Sequence, residues 1–202
     1  MKILLFAASF PPPAIGGSVE YLFNIVKNMP PQTVTINTAD AFPEQAIIFD
    51  KSLSQRLIRY SFIHHPMEAH KRSKWRRAWH YIAWPVVAFW LILKQRPDIV
   101  HIGEANTAGL AAFLTSRLLK IPYLHYVYAE EITLYSSNKL RNKLFWIAVR
   151  GAQAIVTVSE YSRNLLIDGG VLPLRIHKLV PAVGIEKCMS VTLEQISSVR
   201  QR

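Results

Sequence analysis

The first thirty residues constrain this chain more than any other stretch. Lys2-Ile3-Leu4-Leu5-Phe6-Ala7-Ala8 is a short apolar run. Pro11-Pro12-Pro13 follows, and it cannot continue a strand inside a sheet because proline donates no ladder hydrogen bond. Gly16-Gly17 comes next, then Val19, Leu22, Phe23 and Val26 at helical spacing. The order reads strand, glycine-rich loop, helix. Two glycines let the backbone take dihedrals closed to other residues and let a ligand approach the main chain. The free amides at the start of the helix, with its dipole, suit a phosphate or a carboxylate. The loop is neither a GxGxxG fingerprint nor a Walker loop. On spacing alone, a plain turn before a helix is an equal reading.

The rest of the chain repeats the same alternation. Val34 to Thr38 is β-branched and alternating, a second strand. Asp40 to Asp50 reads as a loop of weak helical character, and Lys51 to Arg59 as a short helix with Leu53, Leu57 and Ile58 on one side. Tyr60 to Ile63 is a third strand candidate. Ile99 to Gly103 reads as a buried central strand with its turn, Ala105 to Lys120 as a helix, and Ile121 to Tyr128 as the next strand. Leu140 to Arg150 is helical, Ala154 to Val158 extended, and Ser159 caps a helix over Glu160 to Ile167. Ile176 to Val180 is a last strand. Strands alternating with helices predict an α/β fold with a doubly wound, mostly parallel, Rossmann-like sheet. In such sheets ligands bind past the carboxyl ends of the strands. Those places are Gly16-Gly17, Gly103-Glu104, Tyr128 to Glu131, and Ser159.

Charge narrows the partners. The formal net charge is +11 over 202 residues, which attracts nucleic acid, anionic lipid or phosphorylated ligands. Nucleic-acid binding rests on charge alone, since no RNP, KH or helix-turn-helix pattern is present. Cys188 is the one cysteine, so no intramolecular disulfide forms and a reducing, cytoplasmic setting is expected. No Cys/His spacing resembles a zinc site. Lys2 and the apolar run are expected to form the first strand rather than a signal peptide, because the run is short and prolines stand where a small-residue cleavage site would.

His64 to Arg77 is a basic stretch, with Lys71, Arg72, Lys74, Arg76 and Arg77. It abuts Ala78 to Leu93, an apolar run holding Trp79, Trp84 and Trp90. That run is short of the ~20 residues a spanning helix needs. It is either a helix buried in the domain or one lying on a membrane, with aromatics at headgroup depth and cations on anionic lipid. The adjoining cations favour the second reading, with Trp79 and Trp84 at the surface.

Ser9-Phe10-Pro11-Pro12 followed by Gly16-Gly17-x-x-Glu20-Tyr21 resembles the opening of the family 4 retaining glycosyltransferases, whose fold is the two-domain GT-B. Pro97 to His101 is similar to that family's central strand. Ile121-Pro122 followed by Tyr128 to Glu131 resembles its strand ending in His-Gly-x-Glu. Ala152 to Ser159 and Val180 to Glu186 resemble two later segments, the last preceding the hinge to the second domain. The resemblance covers residues 1 to 186 and implies one N-terminal GT-B half. It implies a nucleotide-sugar donor, a glycan or lipid-linked acceptor and no metal or other cofactor. Gly16, Gly17, Glu20, His101, Gly103 and Ser159 then face donor phosphates or acceptor, with Tyr128 and Glu131 at the reacting sugar. Two departures stand out: Tyr128 replaces a histidine that touches the donor sugar, and Ala129 replaces a common glycine. Glu131 binds a sugar hydroxyl on this reading and sits in a solvated loop on the other.

Residues 187 to 202 read as a polar tail where the family's second, donor-binding domain begins. The expectation is a truncated product or one part of a split enzyme, inactive alone, with a separate second-domain chain as partner. The alternative is a non-catalytic module at an anionic membrane or beside a partner glycosyltransferase. On either reading the place is the cytoplasm, peripheral on the inner face of the membrane.

Overall fold

A computed structural model describes residues 1–12, 16–40, 43–62, 74–103, 107–136 and 138–181, with backbone only for 74–78 and 80. Seven strands form one sheet: β1 (Ile3–Phe6), β2 (Val34–Ala39), β3 (Arg56–Tyr60), β4 (Ile99–Ile102), β5 (Tyr123–Val127), β6 (Ala154–Thr157) and β7 (Ile176–Lys178). Their order is β3-β2-β1-β4-β5-β6-β7. Every neighbouring pair is parallel. The helices between them are α1 (Gly17–Lys27), α2 (Pro43–Ser52), α3 (Lys74–Gln95), α4 (Ala108–Leu119), α5 (Glu130–Ser136), α6 (Lys139–Gly151) and α7 (Glu160–Asp168). This is the doubly wound, Rossmann-like α/β fold.

Strand alternation builds two cores, because successive side chains point to opposite faces. Leu4 and Phe6 of β1, with Val100, Ile102 and Tyr123, face Trp84, Ala88 and Ile92 of α3, Ala111 of α4 and Val149 of α6. Ile3 and Leu5 of β1, with Ile36, face Leu22 and Val26 of α1. The sheet is covered on both faces, so central strands such as β1 are continuous apolar runs. The winding reverses between β1 and β4, and the crevice of such a sheet opens there, past the carboxyl ends.

Three readings of the sequence are corrected. The third strand is Arg56–Tyr60, where a helix was expected, and α2 covers Pro43–Ser52, where a loop was expected. β3 is an edge strand, exposed at Arg56 and half-buried thereafter, so it lacks the strict alternation that marks a strand in sequence. Its register is set from outside: Gln55 Nε2 donates to the carbonyls of Met29 and Pro30, and Gln55 Oε1 accepts from the Val34 amide. α5 is a short helix that starts where the sequence was read as the segment after a strand.

The third correction is Trp84. It was expected at a membrane, and it is fully buried. Its ring meets Phe6 edge-on at 5.4 Å and Tyr60 at 6.0 Å. α3 is longer than the apolar run suggested and continues through Pro85. A helix that is apolar all round offers several faces, and only packing decides which one enters the core. Trp79 and Trp90 stay exposed. Lys71 and Arg72 lie outside the described residues, as do His64, His65, His70, Glu104, Cys188 and the 187–202 tail; Lys74, Arg76 and Arg77 lie in the first turn of α3.

Candidate functional site

Gly16 is the pivot of the loop after β1. Its φ of 108° lies where only glycine is comfortable. Its carbonyl accepts from the Glu20 amide at 3.2 Å, closing the first turn of α1. No side chain caps that helix, so the amides of Gly17, Ser18 and Val19 precede the first intrahelical bond and are available to an acceptor. Among the described residues, a Cβ built on Gly16 or Gly17 meets nothing within 4 Å. Both glycines are exposed, and space for a ligand lies over them.

The segment leading there is held by a residue the sequence did not single out. Arg59, at the end of β3, donates from Nη2 to the Pro11 carbonyl at 2.5 Å. The same guanidinium forks onto Asp50 through Nε at 3.0 Å and Nη2 at 2.8 Å. Its side chain is only 8% exposed, and its Nη1 has no hydrogen-bond partner among the described residues. Beside it, Tyr60 donates its hydroxyl to Asn37 Oδ1, and Asn37 Nδ2 donates to the Leu5 carbonyl. One cation in an edge strand gives no sequence signal. Its meaning comes from the tertiary contact that joins β3 to the β1–α1 loop.

Tyr128 and Glu131 lie at the carboxyl end of β5. The Tyr128 amide donates to Glu131 Oε2 at 2.9 Å, and Ile132 N returns to the Ala129 carbonyl at 3.1 Å. Glu131 is buried and caps α5 from within its first turn. The solvated-loop reading of Glu131 therefore does not hold; Glu130 is exposed. The Tyr128 ring meets Tyr21 of α1 edge-on at 5.9 Å. Tyr21 in turn donates its hydroxyl to the Leu179 carbonyl at 2.8 Å. Tyr21 thus links the glycine-loop helix, the end of β5 and the chain beyond β7.

The remaining named residues do other work at the same edge. Gly103 is buried, and a Cβ there would stand 2.5 Å from Leu22 Cδ2 and 2.9 Å from Ala7 Cβ. Its missing side chain lets α1 close on the sheet. His101 is buried in β4, with Nδ1 3.3 Å from the Tyr126 hydroxyl. Burial pulls its pKa down to about 4, so it is a neutral ring at physiological pH. Ser159 Oγ accepts from the Ser162 amide at 3.1 Å and caps α7. Glu160, drawn below its ordinary pKa by its hydrogen bond to Lys178, ties α7 to β7 at 2.5 Å. Among the described residues, no group of three His, Cys, Asp or Glu could hold a metal ion, and no helix is long and apolar enough to cross a membrane.

This edge can offer amides and a helix dipole to an anion beside two exposed glycines, while the Tyr128 hydroxyl and the Glu131 carboxylate are buried beneath it. No curated protein matches the chain. Solved structures do match in fold. HepE of Anabaena in complex with UDP and glucose is 15% identical with a TM-score of 0.67, covering 100% of this chain and 49% of its own. The UDP-GlcNAc 2-epimerase of Neisseria meningitidis bound to UDP-GlcNAc is 16% identical with a TM-score of 0.60, covering 100% and 53%. A glycosyltransferase of Rickettsia africae is 13% identical with a TM-score of 0.59, covering 99% and 48%. The chain thus spans about half the length of these structures. A family model described as Glycosyltransferase Family 4 matches residues 15–186. With that match across most of its length, on a sheet shared with GT-B proteins, the chain belongs to glycosyltransferase family 4.

Proposed function

We propose that residues 1 to 186 form one domain and supply one wall of a sugar-transfer cleft, with a second domain supplying the other. A sugar moves, with retention of configuration and without a metal, from a nucleotide sugar to a glycan or lipid-linked acceptor. The observation that carries this reading is the convergence of the open Gly16-Gly17 loop, the uncapped start of α1 and the Tyr128–Glu131 turn on one carboxyl edge. The UDP, glucose and UDP-GlcNAc named for the Anabaena and Neisseria proteins support a nucleotide-sugar donor.

In this reading the α1 amides receive diphosphate or acceptor oxygens. Glu131 holds the backbone of the turn, and Tyr128, its ring packed on Tyr21 and its hydroxyl buried, supports the sugar site from beneath. Tyrosine donates a hydrogen bond but is a poor base near neutral pH, so Tyr128 orients rather than deprotonates. One wall gives few charge-assisted bonds, each worth roughly 1.5–3 kcal/mol at best. The chain alone should bind donors at about millimolar or weaker affinity, near 4 kcal/mol.

The test follows transfer and donor hydrolysis with several nucleotide sugars, for the chain alone and with a second-domain chain added. Transfer that needs the second domain and is lost in Gly17→Val supports the reading. Turnover by the chain alone that disappears in Gly17→Val would show the one-wall reading to be wrong. Donor binding with no transfer in any combination would favour the second reading, a non-catalytic module at a membrane or beside a partner enzyme. The exposed Trp79 and Trp90 also speak for a peripheral place on the inner membrane face.

A further inference from the structure

Three helices on one face of the sheet carry no acidic residue at all. α3 packs on α4, and α4 packs on α6. Across Lys74–Gln95, Ala108–Leu119 and Lys139–Gly151 there is no Asp or Glu, although the chain holds 13. Lys94, Arg117, Lys139, Arg141 and Lys143 are exposed on this face. The first turns of α3 and α6 hold cations and no acid, against the preference set by the helix dipole. Helix stability does not account for the charge in those first turns, whereas Lys94 and Arg117 stand in last turns that favour a cation.

The same face is apolar where it meets solvent. Trp79, Ile82, Val86 and Trp90 recur at helical spacing along the outer side of α3, and they are 63%, 60%, 61% and 54% exposed. Leu114 and Leu118 of α4 and Leu140 of α6 are exposed as well. Cations cover the aromatic rings: Arg141 stands 4.4 Å from the centre of Tyr81, and Lys94 4.7 Å from that of Trp90.

We propose that the α3–α4–α6 face seats on an anionic bilayer, with the carboxyl edge of the sheet beside the headgroups. Aromatic rings at headgroup depth, aliphatic side chains just below and cations on lipid phosphate are what an interfacial surface needs. A second copy of the chain would bring the same cations face to face. A nucleic acid has no use for Ile82, Val86 and Leu118. The direction of the helices then places the site. α3 and α4 each start from the carboxyl end of a strand, and α6 runs back toward the start of β6. The basic N-terminal turns of α3 and α6 therefore lie at the edge that holds Gly16, Gly17 and Tyr128. Resting on the transfer reading above, this position selects the lipid-linked acceptor over the free glycan.

The purified chain is sedimented with large vesicles of phosphatidylcholine, alone or mixed with phosphatidylglycerol. Binding should need the anionic lipid and weaken with salt. Lys139→Glu/Lys143→Glu should weaken it at least about tenfold. Lys27→Glu/Lys51→Glu makes the same charge change on the α1–α2 face and should leave binding nearly unchanged. Brominated lipid should quench tryptophan emission, less so in Trp79→Phe and in Trp90→Phe. Equal losses in the two double variants would mean that net charge alone binds, and would overturn the proposal. So would tighter binding to single-stranded RNA than to vesicles, or self-association that Trp79→Ser abolishes. Quenching of Trp90 without Trp79 would turn the carboxyl edge away from the lipid and overturn the acceptor assignment. None of these readouts needs a donor, so a failed transfer assay with intact vesicle binding counts against the proposed function and leaves the docking face standing.

Discussion

Ala129 holds a φ of 77°, in the left-handed region where a Cβ costs about 1–2 kcal/mol. The turn is kept because Glu131 takes the Tyr128 amide and the Ala129 carbonyl takes that of Ile132. Ala129→Gly should therefore raise stability by about 1 kcal/mol, offset in part by glycine's freedom in the unfolded chain. Thermal unfolding by circular dichroism checks it; an unchanged or lower melting temperature would show that the turn is not strained. The positive φ marks this position as one that a glycine would hold without strain. Arg59 shows the opposite case. Its value lies in reaching both Asp50 and the Pro11 carbonyl, a partnership between residues far apart in the chain. The alternation of β3 says nothing of it.

Among elements, α1 depends on a residue outside it. Gly103 leaves room for Leu22 Cδ2, and an added Cβ would overlap it at 2.5 Å. Gly103→Ala should push α1 off the sheet at a cost of about 1–3 kcal/mol, the range for overpacking. Leu22→Ala alone should cost about 2–5 kcal/mol. Because each change relieves the other, the double variant should cost less than the two together, a coupling of at least about 0.5 kcal/mol. Denaturant unfolding of all four proteins measures it, and strict additivity would deny the contact. The strands β1, β2, β4, β5, β6 and β7 and helices α1, α3, α4, α6 and α7 were legible from the sequence. α2 and β3 were not, because an edge strand and a surface helix bury too little to leave a clean pattern.

Across the molecule, two histidines report on burial. His101 and His125 both have pKa values drawn down to about 4, chiefly by desolvation. His125 Nδ1 also lies 3.2 Å from the Tyr126 carbonyl, a bond that opposes the shift. Both rings are neutral in the fold near pH 7. In the unfolded chain they titrate near 6.5, so between about 4 and 6.5 the unfolded state binds more protons and stability falls as pH falls. Each contributes up to roughly 3 kcal/mol over that window, at about 1.4 kcal/mol per pH unit. Melting temperature should be level from pH 8 to 7 and then decline toward pH 4. Imidazole NMR titrations check the assignment; rings that protonate near 6.5 in the folded chain would refute it.

The sequence by itself determined the alternation of strand and helix, and hence the parallel sheet and the places where ligands meet it. That follows because apolar period and glycine or proline punctuation are local properties. It also carried the family resemblance and the excess of cations. Tertiary structure alone decided which side of each element faces what. It sent Trp84 into the core against Phe6 and left Trp79 and Trp90 outside. It gave Gly103 and Ser159 to packing and capping, and brought Tyr21 against Tyr128. Such choices depend on pairs distant in the chain, and an apolar residue looks the same in sequence whichever neighbour it finally meets.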